Sequence, residues 1–175
     1  QTDQGVNPDT LSTDGLPNDA VSERGLAALY YPWVKVLDPF TNVETLVPPG
    51  GHVAGVYART DTNRGVHKAP ANEQLQGVQG LEHEIRRVDQ NGLNPKGINC
   101  IRAFRGRGIR IWGARTTSPK TIWRYVNVRR LFLFLEESLD EGTQWAVFEP
   151  NDEPLWARVR QSVTDFLTGV WRDGA

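Results

Sequence analysis

Residues 55–73, GVYARTDTNRGVHKAPANE, crowd Arg59, Asp61, Arg64, His67 and the amides Asn63 and Asn72 into one short stretch. Such side chains can exchange protons or hold an anion. The same types also make a salt-bridged cluster that fixes a loop. Catalysis by a nucleophile needs a base beside it and a third group to orient that base, and nothing in the sequence assembles the three. Elsewhere the motifs of chemistry are missing. There is no GxxxxGK[ST] loop, and GRGIRIWG (106–113) lacks GxGxxG and does not join a strand to a helix. His52, His67 and His83 have no ligand spacing, and HEIRR is not HExxH, so no metal site is expected. Cys100 sits inside an apolar run and reads as a small core residue. No GxSxG elbow is present. Glu136 and Glu137 are adjacent, and neighbours at i, i+1 on a helix do not face each other. No catalytic residue, cofactor or metal ligand is assigned.

The charge pattern carries more information than the net charge of −1. Between Asp89 and Glu136 there is no acid, yet ten of the chain's 20 basic residues lie there, from Lys96 through Arg102, Arg105, Arg107 and Arg110 to Arg130. From Glu136 onward nine acids face three arginines. A basic stripe is the usual footprint of nucleic-acid binding. A chain basic in one part and acidic in another also suits a polymer of itself, each copy meeting the next through opposite patches. Six tryptophans are expected mainly in the core, with one or two as interface anchors.

The elements that must position these groups follow from pattern. The 175 residues, 38% hydrophobic, allow one domain with a tail. A lone cysteine gives no internal disulfide, and no run approaches the ~20 apolar residues of a membrane helix. The chain starts at Gln1 and contains no Met, which reads as a piece of a longer or processed protein. Residues 1–25 are polar and read as a linker or exposed loop. A strand is expected over 26–36 with Pro32 at an edge or bulge, then a turn-rich connection. Pro48 and Pro49 open a helix over 51–62 with Val53, Val56, Tyr57 and Thr60 on one face. Residues 72–81 read as a loop with a possible short strand, and 84–91 as a short helix ended by Gly92. INCIRAF, RGRG and IRIWGAR make a hairpin. The i, i+3, i+4, i+7 spacing after Tyr125 predicts a helix buried on most sides and ending near Gly142. QWAVFE reads as a short buried strand. Residues 152–173 form the clearest helix, capped by Asn151 or Asp152, with a stripe from Leu155 to Val170. The order points to an α/β fold, α+β layered, with helices packed on a mixed sheet.

The segments PPGGHVAGVYARTDTNRGVHKAPAN, LNPKGINCIRAFRGRGIRIWGARTT and WRYVNVRRLFLFLEESLDEGTQWAVFEPNDEPLWARVRQSVTDFLTGVWRDGA, with YYPWVKV before them, resemble the C-terminal portion of contractile tail sheath proteins. That family serves myophages, R-type pyocins and extracellular contractile injection systems. The resemblance covers residues 26–175 in order. His67 departs from it, an aromatic being more usual there, and the family continues past Ala175 into a strand-bearing arm. The resemblance therefore implies a core domain over 26–175 that lacks its final arm and whose sheet neighbouring subunits complete with donated strands.

It further implies a structural subunit that is not an enzyme. Copies would stack as hexameric rings around an inner tube and contract to drive that tube through a target envelope. The implied partners are other copies, the tube protein, and baseplate and terminator proteins, with no nucleic acid, no cofactor and no membrane insertion. Assembly would occur in the bacterial cytoplasm, and the product would be a virion tail or a released particle. The alternative is a nucleic-acid-binding module using the arginines of 102–130. Interface candidates are Arg102, Arg105, Arg107 and Arg110 on the basic side and Glu136, Glu137, Asp140 and Glu141 on the acidic side. Arg158, Asp165 and Arg172 on the polar face of the last helix complete the set.

Overall fold

A computed structural model describes residues 23–175, so most of the expected 1–25 linker lies outside the described residues. The α/β layering holds, and the strands divide between two sheets. The segment expected to be one strand is two, β1 (Leu29–Tyr31) and β2 (Val34–Leu37), parted at Pro32 behind a cis Tyr31–Pro32 peptide. Each goes to a different sheet.

The connection after β2 contains a further strand, β3 (Glu44–Val47), antiparallel to β2. The Asp38 carboxylate closes this hairpin by accepting from Phe40 N–H at 2.9 Å and from the Thr41 hydroxyl at 2.7 Å. On the other side of β2 lies β4 (Val78–Leu81), which completes a three-stranded antiparallel sheet.

Helix α1 (Gly50–Arg64) starts behind Pro49 as the proline pair requires. Val53, Val56 and Thr60 are buried, and the Thr60 hydroxyl donates to the Val56 carbonyl at 2.8 Å. Helix α2 (Arg87–Leu93) begins later than expected and runs through Gly92. Asp89 sets its start by accepting from Arg86 N–H at 2.9 Å. The left-handed residue that ends this region is Gly97, φ 80°, after a 3-10 turn over Asn94–Lys96.

The hairpin of β5 (Ile98–Phe104) and β6 (Gly108–Trp112) forms as its turn glycines predict. Gly108 has φ 74°, and a Cβ there would lie 2.7 Å from the Gln74 amide. β1 joins β5 in parallel, giving a mixed sheet in the order β1-β5-β6. The outer edge of β6 is covered by the 72–75 segment, through Asn72 N–H to Ile111 O and Leu75 N–H to Ile109 O. One core cluster joins the two sheets and α1 through Val34, Val53, Val56, Leu75, Ile101 and Ile111. The other packs Ile98 and Cys100 of β5 beneath Ile85 and Leu93.

Helix α3 (Val126–Thr143) and helix α4 (Glu153–Arg172) end the chain. Contrary to expectation, α3 is not buried on most sides. Only Val126 and Arg129 are buried, and Phe132, Leu133 and Phe134 are exposed. One side of α3 meets the core, and no element among the described residues covers Phe132, Leu133 and Phe134 on the other. QWAVFE is not a strand either. A 3-10 turn over Gln144–Ala146 carries the chain from α3 toward α4, and Val147 and Phe148 stand in solvent. Asp152 caps α4, accepting from Leu155 N–H at 2.9 Å. Of the expected stripe only Leu155 is fully buried. No tryptophan belongs to the buried core, and Trp33, Trp145, Trp156 and Trp171 are exposed.

Candidate assembly surface

The alternation of β5 decides which arginines share a face. Residues 98, 100, 102 and 104 project to one side, and register places Cys100 opposite Trp112 and Arg102 opposite Arg110. α2 covers Ile98 and Cys100 and stops short of the hairpin tip. What remains is an open cleft of about 700 Å³ lined by Arg102, Phe104 and Trp112 with Arg87 and Gln90. Phe104 and Trp112 pack with ring centres 4.6 Å apart and their planes tilted by 53°. The guanidinium of Arg102 lies 5.1 Å from the Phe104 ring, and that of Arg107 lies 5.5 Å from it.

The four hairpin arginines are not equivalent. Arg102 donates to Ile85 O at 3.0 Å and to Gln90 Oε1 at 2.8 Å. Arg107 donates to Asn72 Oδ1 at 2.8 Å, and Arg110 donates to Asn72 O at 2.6 Å and Arg107 O at 2.8 Å. These three therefore fasten loops. Arg105 is exposed at the turn and makes no hydrogen bond or ion pair among the described residues.

The acidic candidates lie on the last turns of α3. Glu136 reaches back to Arg129 at 3.3 Å, while Glu137, Asp140 and Glu141 are exposed. Arg129 is buried and stacks 4.7 Å from the Trp123 ring. On α4, Arg158 pairs with Glu149 at 3.4 Å and covers the Trp145 ring at 5.1 Å. Asp165 accepts from Gln161 at 2.8 Å, and Arg172 is exposed near the helix end. The seven-residue spacing of these three sets them on one side of α4, roughly 100° round the helix from Phe166, which meets Phe134 of α3.

The 55–73 stretch builds a corner. Arg59, Asp61 and Arg64 do not pair with one another. Arg59 donates to Gln74 O at 2.5 Å, Asp61 pairs with Arg130 of α3, and Arg64 is exposed. Asn127 of α3 donates to His67 O at 3.1 Å, so this corner also receives the C-terminal helices. The Tyr30 and Tyr57 hydroxyls meet at 2.6 Å, and burial raises both above the ordinary phenol range. Cys100 is 1% exposed, and burial pushes its thiol up to about 11. No group of three His, Cys, Asp or Glu able to hold a metal occurs among the described residues. No helix among them is long and apolar enough to cross a membrane.

Two features escape a reading of pattern. Asn99 is fully buried and bolts three segments together, donating to Leu29 O at 3.1 Å and Arg115 O at 2.7 Å and accepting from Arg115 N–H at 2.7 Å. Gly113 lies against it, where a Cβ would come 2.8 Å from Asn99 Oδ1. The Phe104–Trp112 shelf is the other, and the hairpin register was the signal that could have revealed it.

Residues 21–117 match the family described as phage tail sheath protein central domain, and residues 118–175 match phage tail sheath C-terminal domain. The tail sheath protein of Burkholderia phage BcepMu is 36% identical over 156 residues, covering 84% of this chain and 33% of that protein. The helical sheath of the anti-feeding prophage in its contracted state superposes with a TM-score of 0.82 at 42% identity, over 97% of this chain and 45% of that one. The contracted sheath of an extracellular contractile injection system, PVC, gives 0.78 at 41% identity over 86% of this chain and 42% of its own. The chain thus spans about a third of the phage relative and less than half of either solved sheath chain. Across nearly its whole length, in sequence and in fold, the chain belongs to the phage tail sheath protein family.

Proposed function

We propose that this chain is the core, over 26–175, of a contractile sheath subunit. Copies stack as hexameric rings around an inner tube and contract to drive it through a target envelope. The observation that carries this reading is the superposition on a helical sheath over 97% of the chain at 42% identity. The subunit acts by packing and not by catalysis. Its partners are other copies, the tube protein, and baseplate and terminator proteins. It assembles in the bacterial cytoplasm and ends in a virion tail or released particle.

Physical features support a binding role over a chemical one. α3 and α4 expose Phe132, Leu133, Phe134, Trp156 and Trp171. Contiguous exposed apolar surface marks an interaction site. The arginines of 102–130 divide between the hairpin cleft and the ion pairs of α3, so they offer no single face to a phosphate backbone. In this reading the acidic end of α3 meets the basic hairpin of a neighbour. The polar side of α4, with Arg158, Asp165 and Arg172, looks toward the tube or an adjacent subunit. Exposed polar pairs, worth about 0–1 kcal/mol each, suit contacts that must break during contraction.

Electron microscopy of the full-length parent protein tests the proposal. Tubular sleeves with six-fold rings are the expected result. A protein that stays monodisperse at high concentration and with tubes present overturns it.

A further inference from the structure

The cleft under the hairpin and the turn between α3 and α4 have complementary chemistry. The cleft sets two tilted aromatic rings beside Arg87 and Arg102, and no carboxylate lines it. Across the molecule's acidic segment, Phe148 is 99% exposed, with exposed Val147 and Glu149 on either side. Phe148 is not on a frayed end. Val147 N–H donates to Gln144 O at 3.2 Å and Glu149 N–H to Ala146 O at 3.2 Å, so a hydrogen-bonded turn presents the ring to solvent.

We propose that the Phe104–Trp112 cleft of one copy receives Phe148 of a second copy, with the acids beside Phe148 set against the hairpin arginines. This rests on the sleeve reading and names one contact within it. The exposure of Phe148 shows that its own chain does not fill the cleft with it. Aromatic rings favour tilted or edge-on partners such as this pair offers. Arg87 lines the cleft, and its exposed side chain makes no hydrogen bond or ion pair among the described residues. It is the cation open to an incoming carboxylate, for which Glu149 exchanges its 3.4 Å contact with Arg158. The knob and the cleft are different patches of one surface. Such a head-to-tail contact joins each copy to the next and generates rings or helical arrays, where a self-matching patch would stop at a dimer.

The test uses the full-length protein. Phe148→Glu should raise the concentration needed for sleeve formation at least about tenfold, with the melting curve unchanged because the ring touches nothing in its own chain. Phe148→Leu should assemble near the wild-type concentration. In a second arm, Arg87→Cys and Phe148→Cys are combined and sleeves are treated with a short bis-maleimide. A ladder of covalent multimers should form only in the double variant. Sleeves from Phe148→Glu at the wild-type concentration overturn the proposal. So does a crosslink from position 87 to the tube protein or to another region of the chain. Wild-type protein that makes no sleeves overturns the polymer reading itself, which separates the two failures.

Discussion

Arg130 of α3 clamps Asp61 of α1 with two parallel hydrogen bonds of 2.8 and 2.5 Å. Its guanidinium also lies 4.8 Å from the Tyr57 ring. Both partners are only 26% exposed, and the hydrogen bonds to Asp61 raise the arginine above its usual range. A fork of this kind needs planar donors, which lysine does not have. The pair is one of the few polar ties between the C-terminal helices and the core.

Breaking that clamp should cost stability. Arg130→Ala is expected to lose about 1–3 kcal/mol in a denaturant melt, because it strands a half-buried carboxylate. Arg130→Lys should recover only part of this. A double-mutant cycle with Asp61→Ala measures the coupling, and a coupling energy near zero would show that the contact holds nothing together.

Cys100 should make the fold sensitive to alkali. The folded thiol titrates at about 11 against an ordinary value of 9.0. Between those values the unfolded chain has lost a proton that the folded chain keeps. Stability is therefore full below pH 9 and falls as pH rises toward 11, by about 2–3 kcal/mol. Tyr30, Tyr31 and Tyr57 are raised as well and add the same sign from about pH 10 upward. Urea melts at pH 8 and pH 9.7 should separate wild type from Cys100→Ala in slope against pH. Equal slopes would mean that the thiol is solvated in the native state.

Where a local rule decides the outcome, the sequence was readable. Pro48 and Pro49 announced α1, the glycines of RGRG announced the hairpin, and Asp152 announced α4. Tertiary partners decided the rest. Glu44 and Thr45 carry no apolar stripe, and they form a strand because β2 lies beside them. LFLFL reads as a buried run, yet nothing among the described residues covers its outer side. QWAVFE has strand propensity, yet it begins as a 3-10 turn and pairs with no strand among the described residues. Of the candidate residues, charge pattern found the basic hairpin but could not tell Arg105, which is unpaired among the described residues, from Arg107 and Arg110, which fasten Asn72. That distinction depends on a loop more than thirty residues away in sequence.

The capping of α4 should be felt locally. Asp152 is the only side chain among the described residues that caps this 20-residue helix at its N-terminus, and the helix buries fully only Leu155. Asp152→Ala is expected to cost the helix about 1 kcal/mol. Hydrogen exchange should speed across the first turns of α4 while β5 amides keep their wild-type rates, since weakly packed elements open without the core. Uniform acceleration in both would show that α4 unfolds only together with the sheets.

The last prediction separates assembly from folding within the hairpin. Arg105→Glu removes an exposed guanidinium with no partner among the described residues, so its melting curve should stay within about 0.5 kcal/mol of wild type. Arg110→Ala removes donors to Asn72 O and Arg107 O and frees the strap over the β6 edge, with an expected loss of about 1–2 kcal/mol. In the full-length protein the order should reverse. Arg105→Glu places a carboxylate at the turn of the basic hairpin, where the proposed sleeve brings a neighbour's acids, and like charges there repel. Sleeve formation by Arg105→Glu should fall well below that of Arg110→Ala when both are compared by sedimentation at low salt. High salt should narrow the gap, because exposed charges are screened. If Arg105→Glu sediments as sleeves as readily as wild type at low salt, the basic hairpin is a loop fastener and no docking site.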